Sequence, residues 1–158
     1  MRLGKYAKLI ISILGCELAG VLGSVFTIPA ISTWYNVINK PGFTPPGWLF
    51  GPVWIALYAL MGLAAGLVWI LGARKKGIRP ALMAFDIQIA LNVLWSFLFF
   101  GLRNPLYGLL DIITLWLAIA ATIVGFYRLS KRAAWLLVPY LLWVSIALLL
   151  NLYVWRLN

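Results

Sequence analysis

Apolar residues fall in five long runs, at about residues 6–28, 48–71, 81–102, 106–127 and 133–155, parted by polar breaks. A hydrocarbon core about 30 Å thick takes roughly 20 residues of helix to cross, and each run is that long. In lipid the backbone must satisfy its own hydrogen bonds, so such runs form helices. The pattern predicts an all-α membrane protein, a bundle of five transmembrane helices forming one domain over residues 1–158. The first break differs from the others. Residues 34–48 read Trp-Tyr-Asn-Val-Ile-Asn-Lys-Pro-Gly-Phe-Thr-Pro-Pro-Gly-Trp, with rigid prolines between terminal aromatics. That composition predicts a long structured loop between helices 1 and 2, shaped as the lid of a pocket.

The other breaks are ordinary punctuation. Residues 74–80 are basic and end in Pro80, Arg103-Asn104-Pro105 makes a tight turn, and residues 128–132 carry three more cations. Pro46 suits the first turn of the second span, and Pro52 lies close enough to that start to be tolerated or to bend it mildly. The opening run also resembles a signal peptide, with Cys16 at a faint lipoprotein-like site. The apolar stretch before Cys16 is short for a signal core and continues well past it, so an uncleaved helix is predicted.

The formal charge of +10 sits between the spans rather than on a soluble face, so it does not point to nucleic acid. Five crossings put Arg2, Lys5, Lys8, Arg74, Lys75, Lys76, Arg79, Arg128, Lys131 and Arg132 on one side, and Lys40, Arg103 and Arg156 on the other. The excess of cations predicts a cytoplasmic N-terminus, with residues 34–48 outside, in a multi-pass protein of a prokaryotic cell membrane. No internal repeat is visible, which weighs against a transporter built from inverted halves.

The candidate chemistry is sparse. With no His and one Cys, the common metal, haem and triad constellations are out of reach, and no metal site is expected. Glu17 and Asp111 lie inside spans and Asp86 lies near a span end; structural hydrogen bonding is expected for all three. Asn92 lies about mid-span and must face the interior, either as glue between helices or as a polar anchor in an apolar cavity. Trp34, Trp48, Trp135 and Trp155 fall near span ends, where an interfacial belt accounts for them. Trp54, Trp95 and Trp143 lie deeper and are expected to point inward, as core packing or as flat walls for a ligand. Gly62-Leu63-Ala64-Ala65-Gly66 and the pair Ala19 and Gly23 have the spacing of close helix contact, within one subunit or across a homodimer. Residues 150–156 fit a loose cholesterol-contact pattern that many helix ends share.

Several of these pieces, in this order, resemble the translocator protein family, also called the tryptophan-rich sensory protein or peripheral benzodiazepine-receptor (TspO/MBR) family. They are Trp34-Tyr35, Lys40-Pro41, Pro45-Pro46-Gly47-Trp48, Gly51-Pro52-Val53-Trp54, Ala90-Leu91-Asn92 with Trp95, Phe99-Phe100-Gly101, Pro139-Tyr140-Leu141-Leu142-Trp143, and Leu150-Asn151 with Val154-Trp155-Arg156. The resemblance implies five helices, with the first loop folded over a ligand cavity. It implies binding of protoporphyrin IX or a related tetrapyrrole, and of benzodiazepine-type and isoquinoline carboxamide compounds; sterol binding belongs chiefly to animal members. By the same resemblance Trp54 and Asn92 offer donors to a ligand carbonyl, Trp143 and Ala147 line the fifth-span wall, Trp34, Tyr35 and Pro45 contribute the lid, and Trp95 holds another aromatic position. Phe43 stands where Trp is frequent, so its indole donor is missing. Bacterial members promote light- and oxygen-dependent porphyrin breakdown, which implies Trp54 and Trp143 as the reactive residues.

The function expected is an integral membrane tetrapyrrole receptor or sensor, with porphyrin as ligand or photo-oxidised substrate and no dissociable cofactor. A porphyrin, lipid or sterol transporter is the alternative. Photosensitised breakdown by the bound porphyrin itself competes with true enzymatic turnover, because no acid–base pair is available. Membrane lipid, and a second copy joined through a small-residue face, are the remaining expected partners.

Overall fold

In the computed structural model, which describes residues 3–72 and 74–158, the chain folds into α1 (Lys5–Ser32), α2 (Trp34–Val37), α3 (Gly47–Ile70), α4 (Ile78–Ser96), α5 (Pro105–Leu129) and α6 (Lys131–Leu157). All but α2 are long and apolar enough to cross a membrane, counting α4 together with a π-helical turn at Phe97–Gly101 that extends it. The five predicted runs are these five helices, with ends displaced by a few residues. Arg2, one of the ten cations on the N-terminal side, lies outside the described residues.

Local chemistry sets the ends. Thr33, at φ −115° and ψ −89°, interrupts the helix between α1 and α2, and its hydroxyl donates to the Pro29 carbonyl at 2.7 Å. Gly72 and Gly77 supply the positive φ values, 89° and 90°, that turn α3 back into α4. Asn104 caps α5: its Oδ1 accepts from the amides of Leu106 and Tyr107 at 3.1 Å each, and Pro105 takes the first helical position. Ser130 alone separates α5 from α6, and its Oγ accepts from the Ala133 amide at 3.3 Å. Pro46 precedes α3 rather than occupying its first turn, and α3 continues through Pro52.

The π-helical turn is unexpected. The Leu102 amide reaches back five residues to the Phe97 carbonyl at 2.7 Å, widening the helix by one residue. Neighbours Phe99 and Phe100 on this turn are both buried, 3% and 6% exposed.

The core lies among α3, α4, α5 and α6, where Met61, Ala64, Val68, Ile119 and Phe126 are wholly buried. Helix α1 lies on the outside and buries only Cys16, Ala19, Gly23 and Ala30, leaving Leu14, Leu18, Leu22 and Val25 exposed as a lipid-facing surface. It touches α3 through glycine. A Cβ on Gly62 would stand 2.7 Å from the Ser12 carbonyl oxygen, and one on Gly66 would stand 3.1 Å from Leu9 Cα. Gly23 lies similarly against Ser96 Oγ. The small-residue faces expected to serve either one chain or a dimer are therefore covered by the chain's own helices. A homodimer through Gly62/Gly66 or Ala19/Gly23 does not fit, because no room remains there for a second backbone.

Candidate functional site

Helices α1 and α3 are in contact where Leu9, Ser12 and Ile13 meet Gly62 and Gly66, and a cavity of about 360 Å³ lies between them toward the other end of the bundle. Its walls come from Gly20, Thr27 and Ile31 on α1, Phe50, Trp54 and Tyr58 on α3, Asn92, Trp95 and Ser96 on α4, Phe100 on the π-helical turn, and Trp143 and Ala147 on α6. Val21, Ile28 and Ile55 also line it and are 59%, 67% and 63% exposed. These three form a mouth that opens between α1 and α3, toward lipid. The volume is within the range of about 300–1,000 Å³ typical of small-molecule sites.

Asn92 is 1% exposed and its amide is already engaged. Tyr58 donates its phenol to Asn92 Oδ1 at 2.8 Å, and Asn92 Nδ2 donates to the Tyr140 oxygen at 2.6 Å. This three-residue chain ties α3, α4 and α6 together beneath the cavity. An amide has two N–H donors, so one remains beyond these two bonds. The interhelical role is thus realised, and the anchoring role has a single hydrogen left to work with.

The tryptophans divide in the same way. Trp95 donates Nε1 to Asn151 Oδ1 at 3.0 Å, and Asn151 in turn donates Nδ2 to the Pro105 carbonyl at 2.7 Å. Its indole N–H is structural, while its ring stacks on Phe99 at 5.2 Å and lines the cavity. Trp116 likewise donates to Ser145 Oγ at 2.9 Å. Trp54 packs against Tyr58 and Tyr140, with centroids 5.6 and 6.3 Å away, and Trp143 meets Phe50 edge-on at 5.8 Å. Among the described residues, neither Trp54 nor Trp143 has a hydrogen-bond acceptor, and neither nitrogen is fully buried. These two donors are free.

Trp34, Tyr35 and Pro45 do not line the cavity. Trp34 lies against Phe99 at 5.5 Å and Tyr35 against Phe100 at 5.6 Å, in a second apolar cluster with Ala30 and Val154. Burial raises the Tyr35 phenol pKa above its ordinary value. The connection after α2 is clasped to the end of α6. Asn39 and Asn158 exchange two hydrogen bonds of 3.0 Å, and Phe43 meets Tyr153 edge-on at 5.4 Å. Residues 34–46 therefore reach the cavity at one remove, through Phe100. Trp48, Trp135 and Trp155 are 74%, 67% and 43% exposed near helix ends, as an interfacial belt requires.

The carboxylates depart from expectation. Asp111 is buried with Oδ2 unpartnered, Asp86 is exposed, and Glu17 lines the cavity. None of the three has a hydrogen-bond or ion-pair partner among the described residues. Tyr58, Tyr140 and Asn151 carry the polar network and were not singled out from the residues. Their positions four after Trp54, three before Trp143 and eight after Trp143 were the available signal.

A five-span helical membrane protein with an aromatic cavity in one half of the bundle is the class that fold and site define. The chain belongs to the TspO/MBR family, whose model matches residues 12–156. It is 48% identical over 151 residues to the tryptophan-rich protein TspO of Archaeoglobus fulgidus, covering 96% of this chain and 97% of that one. Against the protein of the same name from Chlorobaculum tepidum the identity is 45% over 143 residues, 90% of each chain. Against the human translocator protein it is 41% over 147 residues, 92% of this chain and 84% of that one.

Proposed function

We propose that this protein is a membrane receptor or sensor whose cavity binds a flat, largely apolar ligand of the tetrapyrrole class, with protoporphyrin IX as the leading candidate. The observation that carries this reading is the pair of unengaged indole N–H groups, Trp54 and Trp143, in one aromatic cavity. Two donors with no protein acceptor suit a ligand that brings acceptors of its own. Benzodiazepine-type and isoquinoline carboxamide compounds, each with a carbonyl on an aromatic frame, fit the same description. A tetrapyrrole is too broad to be enclosed, so its edge occupies the mouth between α1 and α3. The mouth lies at the end with few cations, which the positive-inside rule assigns to the outer face.

Light- and oxygen-dependent breakdown of the bound porphyrin belongs to the same proposal, with Trp54 and Trp143 as the aromatic groups in contact with it. A Trp54→Phe/Trp143→Phe double variant removes two hydrogen bonds worth about 1 kcal/mol each. It should bind protoporphyrin IX about 30-fold more weakly, read from the porphyrin's own absorption shift in detergent. Unchanged affinity overturns the site assignment. Porphyrin loss in aerobic light at the same rate for both proteins overturns a protein-directed reaction.

A further inference from the structure

We propose that the cavity selects ligands carrying a protonated nitrogen toward α1, with Glu17 as the counter-ion. The proposal rests on the reading that this cavity is the ligand site.

The polar groups of the wall divide by side. On α1 the Thr27 hydroxyl donates to the Gly23 carbonyl at 3.1 Å and the Ser24 hydroxyl to the Val21 carbonyl at 2.7 Å. Tyr58 and Asn92 are bound to each other. What remains free is two indole N–H donors on α3 and α6, the second Asn92 N–H and the Ser96 hydroxyl on α4, and one carboxylate on α1. Among the described residues no Lys or Arg lines the cavity, and Glu17 is the only acidic side chain that does. It lies one helical turn before Gly20, against which the Tyr58 ring packs so closely that a Cβ there would stand 2.7 Å from it. The carboxylate is therefore level with the cavity floor, not at a membrane surface.

A carboxyl at this depth is costly unless it meets a partner, and an intramembrane ionisable group points to function by default. Among the described residues the chain supplies no partner. A ligand bearing a cation does, and the low dielectric of the site strengthens that attraction over its value in water. The complementary ligand thus has an acceptor on the edge facing Trp54 and Trp143, an aromatic body, and a positive nitrogen facing α1. A dicarboxylate such as protoporphyrin IX then binds with its acidic groups turned to Trp54 and Trp143 and away from Glu17.

The test uses two three-ring probes of nearly equal shape, 9-aminoacridine, which is a cation at neutral pH, and acridine, which is not. Affinities are measured by isothermal titration of the full chain in a non-ionic detergent, for wild type, Glu17→Gln, Glu17→Asp and Trp54→Phe. Wild type and Glu17→Asp should favour the cation about tenfold, equivalent to about 1.4 kcal/mol. Glu17→Gln should bind both probes alike and hold protoporphyrin IX at least as tightly as wild type. No preference in wild type, no binding of either probe, or an equal preference in Glu17→Gln overturns the role of Glu17. If Trp54→Phe leaves acridine and protoporphyrin IX unaffected, the cavity reading itself fails. If Trp54→Phe weakens those two while Glu17→Gln keeps the preference, only the counter-ion fails.

Discussion

Removing the Tyr140 hydroxyl tests the polar chain beneath the cavity. In Tyr140→Phe, Asn92 Nδ2 loses the acceptor it holds at 2.6 Å, in a place where Asn92 is 1% and Tyr140 0% exposed. An unsatisfied buried donor costs about 1–3 kcal/mol. Within membrane proteins side-chain hydrogen bonds are weaker, about 0.6 kcal/mol on average and about 1.7 at most, because the unfolded chain in lipid finds other partners. The full burial and short distance place this bond near the upper end, so the expected loss is about 1.5 kcal/mol. Reversible unfolding in mixed micelles with increasing SDS measures it. The same change in an Asn92→Leu background should cost almost nothing, since the hydroxyl then has no amide to serve. The resulting coupling is about 1 kcal/mol or more, well outside the roughly 0.3–0.5 kcal/mol scatter of independent sites. Additive effects would refute the idea that Asn92 joins α3, α4 and α6.

Further predictions concern packing and capping. Gly62→Ala should lose about 1–3 kcal/mol in the same unfolding assay, because its Cβ meets the α1 backbone rather than a movable side chain. Its oligomeric state by light scattering should match wild type, since that face is internal. Asn104→Ala removes a side chain that accepts two amides and should cost about 1 kcal/mol, read as faster hydrogen exchange at Leu106 and Tyr107.

The bundle was legible because membrane spans announce themselves through length and apolarity, and prolines and glycines mark their ends. Trp54, Asn92 and Trp143 were legible as inward groups because a polar atom at depth must face protein. Their division of labour was not. Whether an indole N–H is spent, as in Trp95, or free, as in Trp54, depends on partners such as Asn151 that lie 56 residues away. The π-helical turn was hidden because an apolar run carries no mark of one extra residue, and that turn brings Phe99 and Phe100 beneath Trp34 and Tyr35. The aromatic character of residues 34–48 was read as a lid, whereas Trp34 and Tyr35 serve to brace this turn. The small-residue spacings were read correctly as contact surfaces, and only the three-dimensional path of α1 assigned them to one chain.

The central claim, that the cavity between α1, α3, α4 and α6 is where a tetrapyrrole binds, is tested most directly by determining the structure of the protein with protoporphyrin IX. The account predicts a macrocycle with its carboxylates at the Trp54 and Trp143 N–H groups and its apolar edge in the mouth beside Val21, Ile28 and Ile55. A macrocycle seated instead in the second recess, among Trp34, Arg103 and Trp155, with the cavity empty, would contradict it.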